Sequence, residues 1–295
     1  MIDKSSLSKD LVAIGLKSGD IVNVKVSLKS IGKIDGGVNA LIEAILEVIG
    51  PEGTLVCDSF NPCVSSYSRW FHKKEPVGRY SKSYAGAFVN AVVSYPTSYR
   101  SSHPVQAFSA IGKYAKELTE AHTQDSKPFS FLETMAARGG KNLRVGDKVV
   151  GVGTTHIPIC RLGFKQKYLP SGLYYRDEAG SIKWYNHYWA NGCHEGFNKL
   201  IPNYEGIGAV LGEGLIGNAE SKLTDMKTTL EYEFKLLKED NSAFFCGDPG
   251  CLSCSFTWAH SKYSFWDCFK TNIKRKDYRK AIGAVCIALF GTWHV

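Results

Sequence analysis

Hydrophobic and polar residues alternate over residues 21–26, the pattern that marks a β-strand. Apolar residues at helical spacing predict a short helix before it, over residues 5–14, and a longer helix after it, over residues 36–49. Gly50-Pro51 ends the longer helix, and the apolar run at 54–57 predicts a second, buried strand. A strand, a glycine-containing loop, a helix and a strand in this order predict a βαβ-type unit.

The succession of elements continues to about residue 153. Helical spacing predicts helices over residues 84–95, 113–121 and 131–137, and an apolar run predicts a third buried strand over 149–153. Residues 60–80 are aromatic and basic without periodicity, which predicts a long loop. The polar segments follow predicted strand ends, and open α/β sheets bind their ligands at that edge.

The pattern weakens beyond residue 165. Polar turn residues between aromatic runs predict a hairpin over 174–185, and mixed helical spacing predicts a helix over 223–238.

Composition places the chain among folded globular proteins. Its 295 residues are 44% hydrophobic and 22% charged, with 29 Gly and 10 Pro, which excludes disordered, collagen-like and small-scaffold classes. The first residues offer no apolar segment behind a basic one, so we expect no signal peptide and a cytoplasmic location.

The formal net charge of +8 is concentrated near the C-terminus, where residues 270–280 hold six basic residues and one acidic residue. Nucleic acid is not expected as a partner, because a nucleic-acid-binding protein shows a distributed basic face. The apolar stretch that follows, 281–293, is too short to cross a bilayer, which takes about 20 residues. We therefore expect one domain over 1–269 and a tail over 270–295 that packs on the core. Weak attachment of the tail to an anionic membrane surface is the alternative.

Nine cysteines without a secretory signal predict reduced thiols rather than a disulfide framework. Cys246, Cys251 and Cys254 have C-x4-C-x2-C spacing, which matches a ferredoxin-type pattern, and Cys268 and Cys286 follow. A zinc or iron–sulfur site is therefore an alternative, but one cluster of three is weaker than paired CxxC motifs. We expect ordinary thiols and no metal.

Residues 27–38, which we term the cradle segment, have the chemistry of an anion site. Free backbone amides at a helix N-terminus, two glycines, and nearby serine hydroxyls and lysines suit a pyrophosphate. The segment is neither GxGxxG nor a Walker A motif, and an ordinary loop with a helix cap is the alternative.

The amino-acid sequence of the cradle segment resembles a motif of the aminoglycoside 3-N-acetyltransferase family. The segment reads S-L-K-S-I-G-x-I-x-G-G-V, and the later V-I-G-P-E-G-T-L-V resembles the motif that follows in that family. That family reads S-S-L-x-S-I-G-x-V-x-G-G-A and then V-G-P-x-G-T-L-V. Three more segments are similar to family motifs in the same order: R-S-S-H-P at 100–104 with the strand after it, V-V-G-V-G at 149–153, and G-C-L-S-C at 250–254. The resemblance is good to about residue 153 and patchy to 254.

The resemblance implies a three-layer α/β/α sandwich with a mixed central sheet, acetyl-CoA as donor, and an amino group on a sugar as acceptor. It places CoA's phosphates on Ser27, Leu28, Ser30, Ile34, Gly36, Gly37 and Val38. It places Ser102 and His103 beside the thioester arm, and it accounts for Cys251 and Cys254 without a metal.

The family's general base is a histidine in T-x-x-H-x-x-E, after the L-L-G-V-G motif. A shortened loop puts His156 at this position, whereas an ungapped alignment puts Arg161 there. We favour His156, with His103 as the second candidate, because the acceptor must lose a proton and Arg is effectively never a base. The family's first histidine, in H-S-S, is here Lys25.

The acidic residues that orient the family's histidine fall near Trp189 and Asn191, and Glu195 is the nearest carboxylate. We therefore expect Glu195 to orient His156. A surface polar pair of His194 and Glu195 is the alternative.

These observations predict a CoA-dependent N-acetyltransferase that acts on an amino sugar or an aminoglycoside-like acceptor. The excess of basic residues disfavours a polycationic drug and favours a neutral or anionic amino sugar, such as a nucleotide-linked or lipid-linked precursor. A catalytically degenerate CoA-binding or assembly protein of the same fold is the alternative, and an iron–sulfur electron carrier is a third.

Overall fold

A computed structural model describes residues 1–66, 68–71, 75–147, 149, 151, 153–164, 171–187 and 192–290. Over these residues the helices are α1 (Lys4–Ala13), α2 (Leu28–Ile31), α3 (Gly37–Ile49), α4 (Ala87–Val93), α5 (Ala115–Glu120), α6 (Ser130–Ala137), α7 (His156–Arg161), α8 (His194–Asn198), α9 (Asn203–Gly206), α10 (Met226–Glu239), α11 (Leu252–Phe256), α12 (Phe265–Lys274) and α13 (Tyr278–Phe290). The strands are β1 (Ile21–Val26), β2 (Thr54–Asp58), β3 (Val64–Ser65), β4 (Tyr99–Arg100), β5 (Phe108–Gly112), β6 (Lys141–Val145), β7 (Ser171–Arg176), β8 (Ile182–His187), β9 (Val210–Ile216) and β10 (Ala219–Asp225).

The central sheet has seven strands in the order β4-β5-β2-β1-β6-β10-β9. β1 runs parallel to β2 and to β6, and every other pair in this sheet is antiparallel. The mixed central sheet predicted from the family resemblance is therefore confirmed. β3, β7 and β8 form a second, small antiparallel sheet, which contains the predicted hairpin.

Apolar side chains cover both faces of the central sheet. On one face, Val22, Val24 and Leu55 share a core with residues of α1, α3 and α4. On the other face, Val56 and Phe108 pack with residues of α5, α6 and the start of α10. Successive strand residues point to opposite faces, so the same strands supply both cores.

The third strand was predicted at the wrong place. Val149, Gly151 and Gly153 are bends, and residues 150 and 152 lie outside the described part. The strand parallel to β1 is instead β6. Gly151 and Gly153 have φ of +53° and +99°, a left-handed conformation that a strand does not contain.

Smaller differences concern loops and caps. The predicted loop at 60–80 contains β3 and a short 3₁₀ turn at Ser68–Trp70, and α2 lies within the cradle segment. Asp3, rather than Ser6, caps α1, because its Oδ1 accepts a hydrogen bond from the Ser6 amide at 2.7 Å.

The C-terminal residues form a small helical unit. Phe256 of α11, Cys268 of α12 and Ala284 of α13 make a core of their own. Residue 270, the predicted start of a tail, lies inside α12. No helix in the described ranges is long and apolar enough to cross a membrane. Residues 291–293 of the predicted apolar stretch lie outside those ranges.

Candidate active site

Polar side chains meet where β1, β2 and β6 end. Lys25 near the end of β1 forms an ion pair with Asp58, the last residue of β2, with Nζ and Oδ2 3.0 Å apart and the side chains 18% and 11% exposed. Two residues earlier on β1, the buried Asn23 donates a hydrogen bond to Asn142 of β6 over 3.3 Å. The carboxyl edge of the parallel strands is therefore a polar surface set in an apolar sheet, and such an edge is where open α/β sheets bind ligands.

A tight turn closes over this edge at Gly153. A Cβ at this position would lie 2.9 Å from Asn142 Oδ1 and 3.0 Å from Asn23 Nδ2, and its φ is +99°. Only glycine lets the chain rest directly on the two asparagines. The turn continues through Thr154 and Thr155 into His156, the first residue of α7.

His156 is held between aromatic rings. It stacks on Phe129, with centroids 4.8 Å apart and planes 6° apart, and meets the edge of Phe197 at 5.0 Å. Burial, together with the charges of Lys25 and His187, lowers the pKa of His156 to about 3. The imidazole is therefore neutral at neutral pH and has a lone pair that can accept a proton.

A buried carboxyl group lies beneath the turn. Glu233 of α10 is fully buried, and the Tyr204 hydroxyl donates to its Oε1 at 2.6 Å. Burial raises the pKa of Glu233 to about 7, although the hydroxyls of Tyr204, Thr154 and Thr155 act to lower it. The hydroxyls of Thr154 and Thr155, which precede His156, therefore lie beside Glu233. Thr154 Oγ1 donates to Thr229 of the same helix over 3.2 Å.

Our sequence reasoning missed Glu233. The signal was present in α10, where Thr229 and Glu233 lie four residues apart on the buried side between Met226 and Leu237. A glutamate on the apolar face of an amphipathic helix has to be paired or neutral, which sets it apart from the exposed carboxylates of α10.

We expect Glu233→Gln to remove a pH dependence of stability. Because the pKa of Glu233 is raised on folding, its contribution is full at low pH and is lost as the pH rises through about 7. The variant should match the parent at pH 5 and exceed it at pH 9, by roughly 3 kcal/mol at most, given about 1.4 kcal/mol for each pKa unit.

Urea unfolding at both pH values measures this difference, and Glu239→Gln on the exposed end of α10 is the matched control. If the difference in the free energy of unfolding between Glu233→Gln and the parent does not change with pH, the pKa of Glu233 is the same in the folded and the unfolded chain, and the prediction is wrong.

His103 lies in a network of hydrogen bonds and stacked rings. Its Nδ1 accepts hydrogen bonds from the amides of Val105 and Gln106, at 3.3 Å and 3.0 Å, so the ring proton belongs on Nε2. That Nε2 donates to the Tyr185 hydroxyl over 3.2 Å. The ring is buried and stacks on His122, with centroids 4.8 Å apart. Both nitrogens are thus engaged within the protein, whereas Ser102 beside it is exposed.

Arg161 is paired with another residue, and Glu195 is exposed to solvent. Arg161 forms a two-pronged ion pair with Glu133 of α6, with Nε and Oε1 2.7 Å apart. His194 and Glu195 are exposed on α8, and in the part of the chain that is described no hydrogen bond or ion pair joins Glu195 to His156. Trp189 and Asn191 lie outside that part.

The cradle segment begins at the same edge of the sheet, because Ser27 follows Lys25 by two residues. Ser30 Oγ donates to Ser27 Oγ at 2.9 Å, and Gly36 and Gly37 are exposed at the start of α3 with φ of +75° and +65°. A Cβ on Gly37 would meet nothing within 4 Å. The helix N-terminus is therefore open to an approaching anion, with Leu28, Ile34 and Val38 half-buried around it.

A family profile, aminoglycoside 3-N-acetyltransferase, matches residues 24–238. That range covers more than half of the chain and contains Lys25, His156 and Glu233. The chain belongs to this family.

Relatives within the family are distant. The SPbeta prophage-derived aminoglycoside N(3')-acetyltransferase-like protein YokD of Bacillus subtilis (strain 168) is 34% identical over 40% of this chain and 50% of its own length. Aminoglycoside N(3)-acetyltransferase IX of Micromonospora chalcea is 30% identical over 49% of this chain and 57% of its own length. In these alignments the chain thus spans about half the length of the curated relatives that it matches.

Solved structures from the family share the fold over most of the chain. The crystal structure of YokD from Bacillus subtilis has a TM-score of 0.70 at 25% identity and covers 81% of this chain and 100% of its own. A mutant of aminoglycoside acetyltransferase AAC(3)-IVa in complex with a gentamicin has a TM-score of 0.73 at 22% identity and covers 88% and 97%. AAC-IIIb bound to CoASH has a TM-score of 0.65 at 21% identity and covers 80% and 96%.

Proposed function

We propose that this protein is a CoA-dependent N-acetyltransferase, which transfers an acetyl group from acetyl-CoA to an amino group of an amino sugar or aminoglycoside-like acceptor. The observation that carries the proposal is the neutral His156 at the sheet edge where the cradle segment begins. A base and an open anion site on one edge are what acetyl transfer from a phosphate-bearing donor requires.

The cradle segment fits the donor. The helix N-terminus is exposed at Gly36 and Gly37, and a Cβ on Gly37 would meet no atom within 4 Å. Ser27 and Ser30 add hydroxyl groups nearby. These residues would hold the phosphates by backbone amides and hydroxyls. Ser102 and His103 would border the thioester arm. Bound there, acetyl-CoA would supply the activated acetyl group.

The residues at the sheet edge would then prepare the acceptor. A protonated sugar amine has no lone pair, so His156 would first accept one of its protons. The neutral nitrogen would then attack the thioester carbonyl, and the C–S bond would break as the N–C bond is completed. A second amine proton would pass to the departing sulfur, so that CoA leaves as a free thiol, and the first proton would leave His156 for solvent. Burial, and after it the charge of Lys25, lower the pKa of His156 and so keep the imidazole neutral before the reaction. Glu233 would act as a positioning residue through the turn at Thr154 and Thr155. Glu195, exposed on α8 two residues before Phe197, is the second candidate for a positioning residue.

The charge of the chain supports a neutral or anionic amino sugar as the acceptor. The net charge is +8, and the carboxylate nearest the site edge, Asp58, is already paired with Lys25. A polycation would meet little uncompensated negative charge there. Relatives have been solved with sisomicin and a gentamicin, so aminoglycosides are the natural reference acceptors in a test.

The proposal also covers the layer architecture, the domain organisation and the location of the protein. Cores on both faces of the sheet support the three-layer α/β/α sandwich. The shared core of α11, α12 and α13 supports one domain over 1–269 and a tail from residue 270 that packs against it. A reaction that consumes acetyl-CoA agrees with a cytoplasmic location.

A catalytically degenerate CoA-binding protein is the second candidate. Lys25 stands where the resemblance expects a histidine, and its ion pair with Asp58 makes that position structural. Such a protein would bind CoA and leave every acceptor unmodified.

A matched pair of substitutions tests the cradle segment. Asp and Asn have the same shape and both tolerate the left-handed φ of +75° at Gly36, so the pair differs in charge alone. We expect Gly36→Asp to bind CoA at least about tenfold more weakly than Gly36→Asn, about 1.4 kcal/mol, because a carboxylate would repel the phosphates at a helix N-terminus.

Isothermal titration calorimetry of the two folded variants measures the difference. It should shrink in high salt, which screens the charge. Equal affinities at low salt would remove the basis for placing CoA on this segment.

A further inference from the structure

Four cysteine sulfurs meet in a separate apolar core, which contains Phe197 of α8 together with Phe244, Phe245 and Trp258. The Sγ atoms of Cys193, Cys246, Cys251 and Cys254 all lie within 4.8 Å of one another. Two of the distances, Cys193 to Cys251 and Cys246 to Cys254, are 3.6 Å. Two separate segments supply the group, since Cys193 precedes Cys251 by 58 residues whereas the other three cysteines lie within residues 246–254.

The sequence alone led us to expect ordinary thiols and no metal, but the grouping of the four sulfurs points the other way. We propose that these four thiolates bind one zinc ion in a closed structural site. Tetrahedral zinc with Zn–S bonds of about 2.3 Å has S–S edges of about 3.8 Å. Two of the sulfur pairs are 3.6 Å apart and no pair exceeds 4.8 Å, so a small inward movement of the sulfurs would complete the tetrahedron. Four protein ligands leave no open position, so the ion would stabilise the fold and take no part in acetyl transfer. This inference does not depend on the proposed function.

The geometry disfavours the other uses of four cysteines. A disulfide needs sulfurs about 2.05 Å apart, and here each sulfur is close to three others instead of to one. A polynuclear iron–sulfur cluster places iron and sulfide atoms between its ligands and spreads the cysteine sulfurs farther than a single ion does. A mononuclear tetrathiolate site is the arrangement that fits.

Backbone amides already face the sulfurs. The Gly196 amide donates to Cys193 Sγ at 3.4 Å, and the Cys254 amide donates to Cys251. Such bonds favour the thiolate form that a metal requires. Cys193 and Cys254 are buried, and Cys246 and Cys251 are half-buried, which leaves a path for an ion to enter.

The site would tie the C-terminal segment to the candidate active site. Cys193 is the N-cap of α8, and Phe197 on that helix contacts the ring of His156. α8 is docked closely, because a Cβ on Gly196 would lie 1.9 Å from the carbonyl oxygen of Phe244. An ion that holds Cys193 to Cys246, Cys251 and Cys254 therefore holds Phe197 against His156.

The test begins with the unmodified protein, purified without a metal-affinity step and analysed by inductively coupled plasma mass spectrometry. We expect one zinc per chain, and release of that zinc to a chromogenic chelator when a mercurial blocks the thiols. Refilling the emptied protein with Co²⁺ should give the intense thiolate charge-transfer absorption and red d–d bands of a tetrahedral sulfur site.

Substitutions assign the ligands. Cys251→Ser should lose the zinc, whereas Cys268→Ser, a buried thiol of the same unit outside the group of four, should keep it. If Cys251→Ser does not fold, the metal content and the Co²⁺ spectrum of the parent still decide the question. Three results would each overturn the proposal. The parent could be free of metal, with the four thiols of the group reactive. Its mass could be four hydrogens lower, which indicates two disulfides, or the protein could be brown with the spectrum of an iron–sulfur cluster.

Discussion

Replacing His156 with alanine should lower the turnover number by about 10²- to 10⁴-fold, the usual contribution of a general base. The variant should still bind acetyl-CoA, because the substitution leaves the residues of the cradle segment unchanged. Steady-state kinetics with saturating acetyl-CoA and a good amino-sugar acceptor measure the loss, and calorimetry measures the retained binding.

The pH dependence separates a lost base from a damaged fold. At alkaline pH the acceptor amine is deprotonated before it binds, so His156→Ala should recover much of its activity there. A variant that is merely misfolded would not recover. His194→Ala is the control, since that histidine is exposed on α8 and touches none of the site residues described above. Parental turnover of His156→Ala at pH 7 would contradict the assignment.

Acidification from pH 7 to pH 4 should destabilise the protein by several kcal/mol, because four partly or fully buried histidines are held neutral. Burial lowers the pKa to about 3 in three of them and to about 4 in the fourth; they are His103, His156, His187 and His122. In the unfolded chain the same groups titrate near 6.5. Unfolding therefore takes up protons at acid pH, and stability falls as the pH drops below about 6.5.

Urea unfolding at pH 7, 5.5 and 4.5 measures this loss. Glu233 acts in the opposite direction, because its raised pKa favours the folded protein at low pH. Removing that contribution with Glu233→Gln should therefore steepen the acid loss. His122→Gln should make the acid loss less steep, since a neutral amide does not take up a proton when the chain unfolds. A free energy of unfolding that stays constant down to pH 4.5 would show that these rings are more accessible than their burial indicates.

The sequence predicted the core of the fold because its signals there are local. The alternation over β1, the apolar face of α3 and Gly50 after it each determine one element through neighbouring residues. The strand β6 was missed because its apolar residues alternate with Asn142 and Arg144, whereas residues 149–153 look more hydrophobic. Two glycines with left-handed φ turn that second segment into a loop over the sheet edge.

The candidate site was predictable only where a motif marks it. His156 and the cradle segment followed from the family resemblance, and the structure brings both to the edge that holds Lys25. Glu233 reaches the site from a helix 77 positions after His156, and the fourth cysteine of the zinc proposal lies 58 residues before Cys251. Contacts across such distances depend on tertiary packing, which no local spacing encodes.

Mass spectrometry of the acceptor after incubation with acetyl-CoA tests the central claim most directly. The panel should include a cationic aminoglycoside, a neutral amino sugar and a nucleotide-linked amino sugar, with the parent and His156→Ala run side by side. The account predicts one added acetyl group and one equivalent of free CoA thiol for at least one acceptor with the parent, and almost none with His156→Ala at pH 7. Tight CoA binding with no acetylated product across the panel, at neutral or alkaline pH, would contradict it and favour a protein that binds CoA without catalysing transfer.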